Sequence, residues 1–169
     1  MIATFTPNLI VASVCDIPLA DLTARGIRGL LFDLDNTLLA HRGDEFEANV
    51  IDWLQHAAGE GFRLYIISNG PPTRTLGLAA KVGLPAVYHS GKPGVRGLRQ
   101  ALNALSLEPK QAAMVGDQIF TDVWAGSRLG LYTILVTPIN PDEPWNVRVK
   151  RPLERLVLRR IKTTSPISD

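Results

Sequence analysis

Short, unbroken apolar runs recur along the chain, separated by longer stretches in which apolar positions return every three or four residues. Gly29 to Phe32, Leu64-Tyr65-Ile66-Ile67 and Ala112-Ala113-Met114-Val115 show no polar alternation. Such runs suit strands covered on both faces rather than a sheet open to water on one side. The pattern predicts strand 28–33, helix 46–59, strand 63–68, helix 73–82, a short strand 85–88, helix 94–105, strand 111–116, helix 119–129 and strand 131–136. Gly59-Glu60-Gly61 and Leu107-Glu108-Pro109 supply helix stops, and Pro138 to Pro144 form a Pro-rich loop. Strands alternating with helices argue for an α/β fold, a doubly wound parallel sheet joined by crossovers.

Composition narrows the class. A chain of 169 residues with 46% hydrophobic content has the size of one domain with a sizeable core. The single Cys15 excludes an intramolecular disulfide and has no Cys or His cluster around it, so neither a secreted scaffold nor a zinc site is indicated. No apolar stretch approaches a membrane span, and the first residues lack the basic-then-apolar pattern of a leader. A reducing, cytoplasmic setting is the expectation.

A net charge of +2 gives no case for nucleic acid, and none is expected as a partner. The charge is unevenly placed, however. Arg148, Lys150, Arg151, Arg155, Arg159, Arg160 and Lys162 stand against the single acid Glu154, with Leu153, Leu156, Val157 and Ile161 at helical spacing. The expected organisation is therefore one domain over 1–145 followed by a basic amphipathic helix and tail over 146–169. Two readings of that helix stay open: docking on the sheet with its cations in water, or peripheral contact with anionic lipid headgroups at a membrane's inner face.

The candidate chemistry lies at the ends of the apolar runs. Asp33 and Asp35 follow Phe32 two residues apart, and ligands of open α/β sheets bind outside the carboxyl ends of strands. Asp33 can attack phosphorus as a nucleophile, and Asp35 can protonate the leaving oxygen and then deprotonate water. Paired carboxylates facing a phosphate require a hard divalent cation, with Mg²⁺ the expected one. Asp-x-Asp-Asn alone is equally an acidic strand-to-turn junction. Three later strand ends change that balance. Ser68-Asn69-Gly70 offers a hydroxyl and turn N–H groups for a phosphate, Gly91-Lys92-Pro93 a lone ammonium, and Gly116-Asp117-Gln118 a further carboxylate, with Asp122 five residues on.

The set Asp33-x-Asp35, Ser68, Lys92 and Asp117-x4-Asp122 resembles the four motifs of the haloacid dehalogenase-like (HAD) superfamily, over roughly residues 27–138. The resemblance implies a HAD-like Rossmannoid sheet. It makes Asp33 the nucleophile and a metal ligand, and Asp35 the acid/base with its backbone carbonyl on the metal. Ser68 and Asn69 would bind the phosphoryl group, Lys92 would bridge to Asp33, Asp117 would bind Mg²⁺, and Asp122 would act from behind by orienting water or the Lys. An acid at position 35 favours phosphate chemistry over dehalogenation.

Phe32-Asp33-Leu34-Asp35-Asn36-Thr37-Leu38, with Gly116 to Val123, is similar to the YqeG-like branch of IIIA-type phosphatases, itself similar to mitochondrial phosphatidylglycerophosphate phosphatases. Gly70 and Ser127 depart from that pattern, where Asn would be expected at each. The implied function is a Mg²⁺-dependent phosphomonoesterase with an aspartyl-phosphate intermediate, acting on phosphatidylglycerophosphate or a similar lipid phosphate. A phosphatase for a soluble sugar, nucleotide or protein phosphate is the alternative, and a weakly active binding module on the same fold is another. The gaps between Asp35, Ser68 and Lys92 are too short for a cap domain, so an open site is expected; His41 and Arg42 in the loop after Asp35 are its local candidates for the leaving group, with solvated loop residues the favoured reading of both.

Overall fold

The computed structural model describes residues 2–140; the basic segment expected as a helix over 146–169 lies outside them. Six parallel strands form one sheet: β1 (Leu9–Val11), β2 (Gly29–Phe32), β3 (Arg63–Ile67), β4 (Ala86–Val87), β5 (Ala112–Gly116) and β6 (Tyr132–Val136). Their order across the sheet is β1-β6-β5-β2-β3-β4. Five helices connect them: α1 (Leu19–Ala24), α2 (Ala48–Gly59), α3 (Pro72–Lys81), α4 (Arg96–Leu105) and α5 (Trp124–Leu129).

Side chains on a strand alternate between faces, and the core divides accordingly. Leu30 and Phe32 of β2, with Leu64, Ile66, Ala113 and Val115, pack against Leu22 of α1, Trp53 and Leu54 of α2 and Leu78 of α3. Leu31, with Tyr65, Ile67 and Met114, packs instead on Leu98 and Leu102 of α4 and Ala125 of α5. Every residue of β2 and β5 is buried. Their unbroken apolar runs are thus explained by two helical layers.

The central strands, their order of connection and their burial match the sequence pattern. Two elements were not expected from it. β1 is a three-residue edge strand paired with β6 in the register Leu9↔Ile134. Asn8 pins it: its Oδ1 accepts from Thr133 N at 2.8 Å, and its own N–H donates to Thr133 O at 2.9 Å. α1 follows as a six-residue helix. The helix expected over 119–129 also opens differently, as a wide π-type turn over Ile119–Val123 before α5 begins. There Val123 N donates to Gln118 O, five residues back, at 3.3 Å.

Between β2 and β5 the connections diverge: β2 runs on through α2, and β5 through α5, on opposite faces of the sheet. This is the switch point at which open α/β sheets leave a crevice. The chain between Asp35 and Ser68 holds only loop, α2 and β3, and that between Ser68 and Lys92 only α3 and β4. No cap domain is inserted at either place.

Candidate active site

Asp33 and Asp117 each stand one residue beyond a central strand, and Ser68 one beyond β3. The ladder bonds continue through them, with Asp33 N donating to Val115 O at 2.8 Å and Ser68 N to Val87 O at 2.9 Å. Their backbones are therefore held as firmly as the sheet itself. A cavity of about 170 Å³ opens there, lined by Asp33, Asp35, Asn36, His41, Ser68, Asn69, Gly70, Lys92, Gln118 and Thr121.

Lys92 lies at the centre of the charge network, its side chain 2% exposed. Its ammonium reaches Asp33 Oδ1 at 2.5 Å, Asp122 Oδ1 at 2.7 Å and Ile67 O at 2.9 Å. Three acceptors thus match the three donors of an ammonium. Burial alone would lower the Lys92 pKa, but the Asp122 and Asp33 carboxylates outweigh it and hold the group above the ordinary lysine range. Asp33, 14% exposed at its side chain, is likewise raised from its ordinary value. Burial pushes it up to about 7; Lys92 pulls it down, while Asp122 and Asp35 add to the rise.

Asp33, Asp117 and Asp122 each present an oxygen within 4.8 Å of the others, and Asp117 and Asp122 are both 1% exposed. Three carboxylates gathered around one ammonium, two of them buried, leave excess negative charge, and the donors are all oxygen. A hard divalent cation fits that set. Asp122, expected to orient water or the Lys, contacts Lys92 and also presents an oxygen to the cluster. Its room comes from Gly116, where a Cβ would lie 2.3 Å from the Asp122 carboxyl carbon.

Asp35 faces the same cavity with its carboxylate turned to Arg74 of α3. Arg74 Nη1 donates to Oδ2 and Nη2 to Oδ1, both at 2.9 Å, and Arg42 N donates to Oδ1 at 2.9 Å. His41 Nδ1 stands 4.0 Å from the same oxygen. Asn36, at φ 62°, turns the chain back after Asp35, and its Oδ1 accepts from His41 N and Asn140 N at 3.2 Å each. Ser68 Oγ accepts from Gly70 N at 2.9 Å, which leaves its own hydrogen available to the cavity.

Asn69 lines the cavity, but its amide is joined to the Lys92 loop. Oδ1 accepts from Lys92 N at 3.0 Å and Ser90 Oγ at 2.7 Å, and Nδ2 donates to Lys92 O at 3.0 Å. Arg74, Gln118 and Thr121 are not among the site residues the sequence marks. Arg74 reads there as a solvated cation in a helix's first turn, with nothing local to tie it to an acid 39 residues away.

A HAD-hydrolase-like family model matches residues 89–138. The chain is 30% identical over 158 residues to a Bacillus subtilis protein named "Probable phosphatase YqeG", covering 94% of this chain and 92% of that one. It is 29% identical to the chloroplastic phosphatidylglycerophosphate phosphatase 1 of Chlamydomonas reinhardtii, over 91% of this chain and 61% of that protein. The cobalt-bound deoxy-D-mannose-octulosonate 8-phosphate phosphatase of Haemophilus influenzae shares the fold, with a TM-score of 0.52 and 15% identity over 80% of this chain and 89% of the other. The chain belongs to the HAD-like phosphatases, and within them to the YqeG-like group, which is related to the phosphatidylglycerophosphate phosphatases.

Proposed function

We propose that the chain is a Mg²⁺-dependent phosphomonoesterase that works through a phosphoryl group carried on Asp33. The observation behind this is the convergence of Asp33, Lys92, Asp117 and Asp122 at one strand-end crevice. Asp33, Asp117 and Asp122, with the Asp35 carbonyl, would hold Mg²⁺, which when bound offsets the charge of the phosphoryl oxygens. Asp33 attacks phosphorus as the bond to the leaving oxygen breaks, and Asp35, which must enter this step protonated, gives that oxygen its proton. Asp35 then takes a proton from water, whose oxygen attacks phosphorus and releases phosphate from Asp33. Lys92 fixes Asp33 and balances its charge, and the Ser68 hydroxyl and Asn69 border the phosphoryl group.

The favoured substrate is phosphatidylglycerophosphate or a similar lipid phosphate. Similarity to two phosphatidylglycerophosphate phosphatases supports this. So does a cleft without a cap, which admits a phosphate carried on a bulky anchor. The basic segment from Arg148 to Lys162 would add attraction to an anionic surface. No helix among the described residues is long and apolar enough to cross a membrane, so any membrane contact would be peripheral. In this reading 1–145 forms the phosphatase domain and 146–169 an appended basic element, in a cytoplasmic protein.

The test is phosphate release from phosphatidylglycerophosphate in detergent micelles, and from glycerol 3-phosphate, with Mg²⁺ or with EDTA. Activity should require Mg²⁺, favour the lipid and vanish in Asp33→Asn. Undiminished turnover in that variant overturns the mechanism, and preference for the soluble ester overturns the lipid assignment.

A further inference from the structure

The pairing of Arg74 with Asp35 carries information about the leaving group. A guanidinium has five N–H donors. Arg74 uses one on Asp35 Oδ2, one on Asp35 Oδ1 and one on Gly43 O, at 2.9 Å each. Two remain, one on Nη1 and one on Nε, on a side chain 28% exposed. The group is therefore locked by a two-pronged contact with an acid and a third contact with a loop carbonyl, yet it can still take another oxyanion. The two remaining donors lie on different edges of the guanidinium, so each offers an oxyanion a single charge-assisted N–H.

Its position fixes which part of a substrate it meets. For Asp35 to serve the leaving oxygen, as proposed above and on which this inference rests, that oxygen lies against Asp35. What continues beyond the oxygen then runs toward Arg74 and the adjoining loop, where His41 lines the cavity and Arg42 is exposed. Asp33 and Asp122 hold Lys92, and Asp117 is gathered with these two carboxylates, at the phosphoryl end. The leaving-group end is thus bordered by basic side chains.

We propose that Arg74 is a specificity-determining residue that reads a second anionic group on the leaving group. The preferred substrates are then phosphomonoesters bearing a further phosphate or phosphodiester a few bonds beyond the scissile oxygen. A glycerol unit with phosphate at one end and a second phosphoryl group at the other has this form, whether it is lipid-borne or soluble.

The experiment compares kcat/KM for glycerol 1,3-bisphosphate and glycerol 3-phosphate, which differ only in the second phosphate, in the wild type, Arg74→Gln and Arg74→Lys. The wild type should prefer the bisphosphate, and Arg74→Gln should lower that preference at least tenfold, mainly through KM. Arg74→Lys, which keeps the charge and loses the planar set of donors, should recover part of it. Disturbance of Asp35 alone would affect both substrates alike, so the ratio isolates the contact with the second anion. A ratio within twofold of wild type in both variants overturns the proposal, as does a wild type indifferent to the second phosphate.

A wild type that releases phosphate from neither ester and not from phosphatidylglycerophosphate either overturns the phosphatase reading itself, a separate result. Should Arg74→Gln fail to fold, Arg74→Lys must still lower the ratio for the proposal to stand. Phosphatidylglycerophosphate in uncharged micelles, measured against glycerol 3-phosphate, identifies the source. Dependence on Arg74 with the lipid assigns the second anion to a lipid-borne diester, and dependence with the bisphosphate alone assigns it to a soluble ester.

Discussion

Replacing Lys92 by Met removes a buried ammonium while keeping most of the side chain's volume. The wild-type ammonium faces Asp33 Oδ1, Asp122 Oδ1 and Ile67 O with its side chain 2% exposed. Without it, two carboxylates and a carbonyl face one another with no counter-charge. Removing one partner of a buried ion pair costs about 3–5 kcal/mol. At ~3 °C per kcal/mol for a chain of this size, the melting point in EDTA should fall by roughly 10 °C. The loss also has a pH signature.

Asp33 in the wild type titrates at about 7 when folded, against its ordinary 3.8. Because the folded value is the higher, Asp33 makes folding less favourable as pH rises from about 4 to about 7, and contributes a constant amount above that. Lys92 pulls the Asp33 value down, so the variant's Asp33 takes its proton at higher pH. Between pH 8 and pH 7 only the variant gains stability by protonation, about 1.4 kcal/mol over that unit. The gap measured by urea denaturation in EDTA should therefore narrow by about 1 kcal/mol between pH 8 and pH 5.5. A variant within 1 kcal/mol of wild type at pH 8, or a gap that widens on acidification, refutes this account.

Three further outcomes follow from the same geometry. Gly116→Ala places a Cβ 2.3 Å from Asp122 Cγ and Oδ2, so the carboxylate must move; the expected cost is about 1–3 kcal/mol in urea denaturation, with weakened cation binding, and unchanged values for both would contradict it. Because the Asp33 proton, held to about 7, competes with a divalent cation, calorimetric Mg²⁺ affinity should fall about fivefold from pH 7 to pH 6, with proton release on binding. An affinity independent of pH counts against Asp33 as a ligand. Asp35→Asn should slow the first turnover on an alkyl phosphate by about 10²–10⁴, but much less on nitrophenyl phosphate, whose leaving group needs no proton; equal losses on both would remove Asp35 from the acid role.

The parts of the fold legible in the sequence are those with local causes. A strand buried on both faces must be apolar throughout, so β2, β3 and β5 are recognisable runs, and a polar residue directly after each is conspicuous. Asp33, Ser68 and Asp117 are visible for that reason. The missing parts depend on distant partners. β1 is three residues long and is defined by pairing with β6 more than 120 positions away. Nothing around Arg74 marks it as other than a surface cation, and only the fold brings it to Asp35. No helical periodicity reveals the π-type turn at 119–123, or that Gly116 leaves the room the Asp122 carboxylate occupies.

Asn69 shows why residue type alone did not settle the site's wiring. β4 lies at the sheet edge, with β3 between it and β2, so the chain after it would pass beside the crevice rather than into it. The Asn69 amide grips this segment from both sides, taking N–H from Lys92 and Oγ–H from Ser90 and returning a donor to Lys92 O. That holds the Lys92 backbone beside the end of β3 and lets a four-carbon stem carry its ammonium to Asp33. A side chain with both a donor and an acceptor is needed for this; Asp would lack the donor and Ser the reach. Asn at position 69 is thus accounted for by the placement of Lys92, whatever contact it also makes with a phosphate.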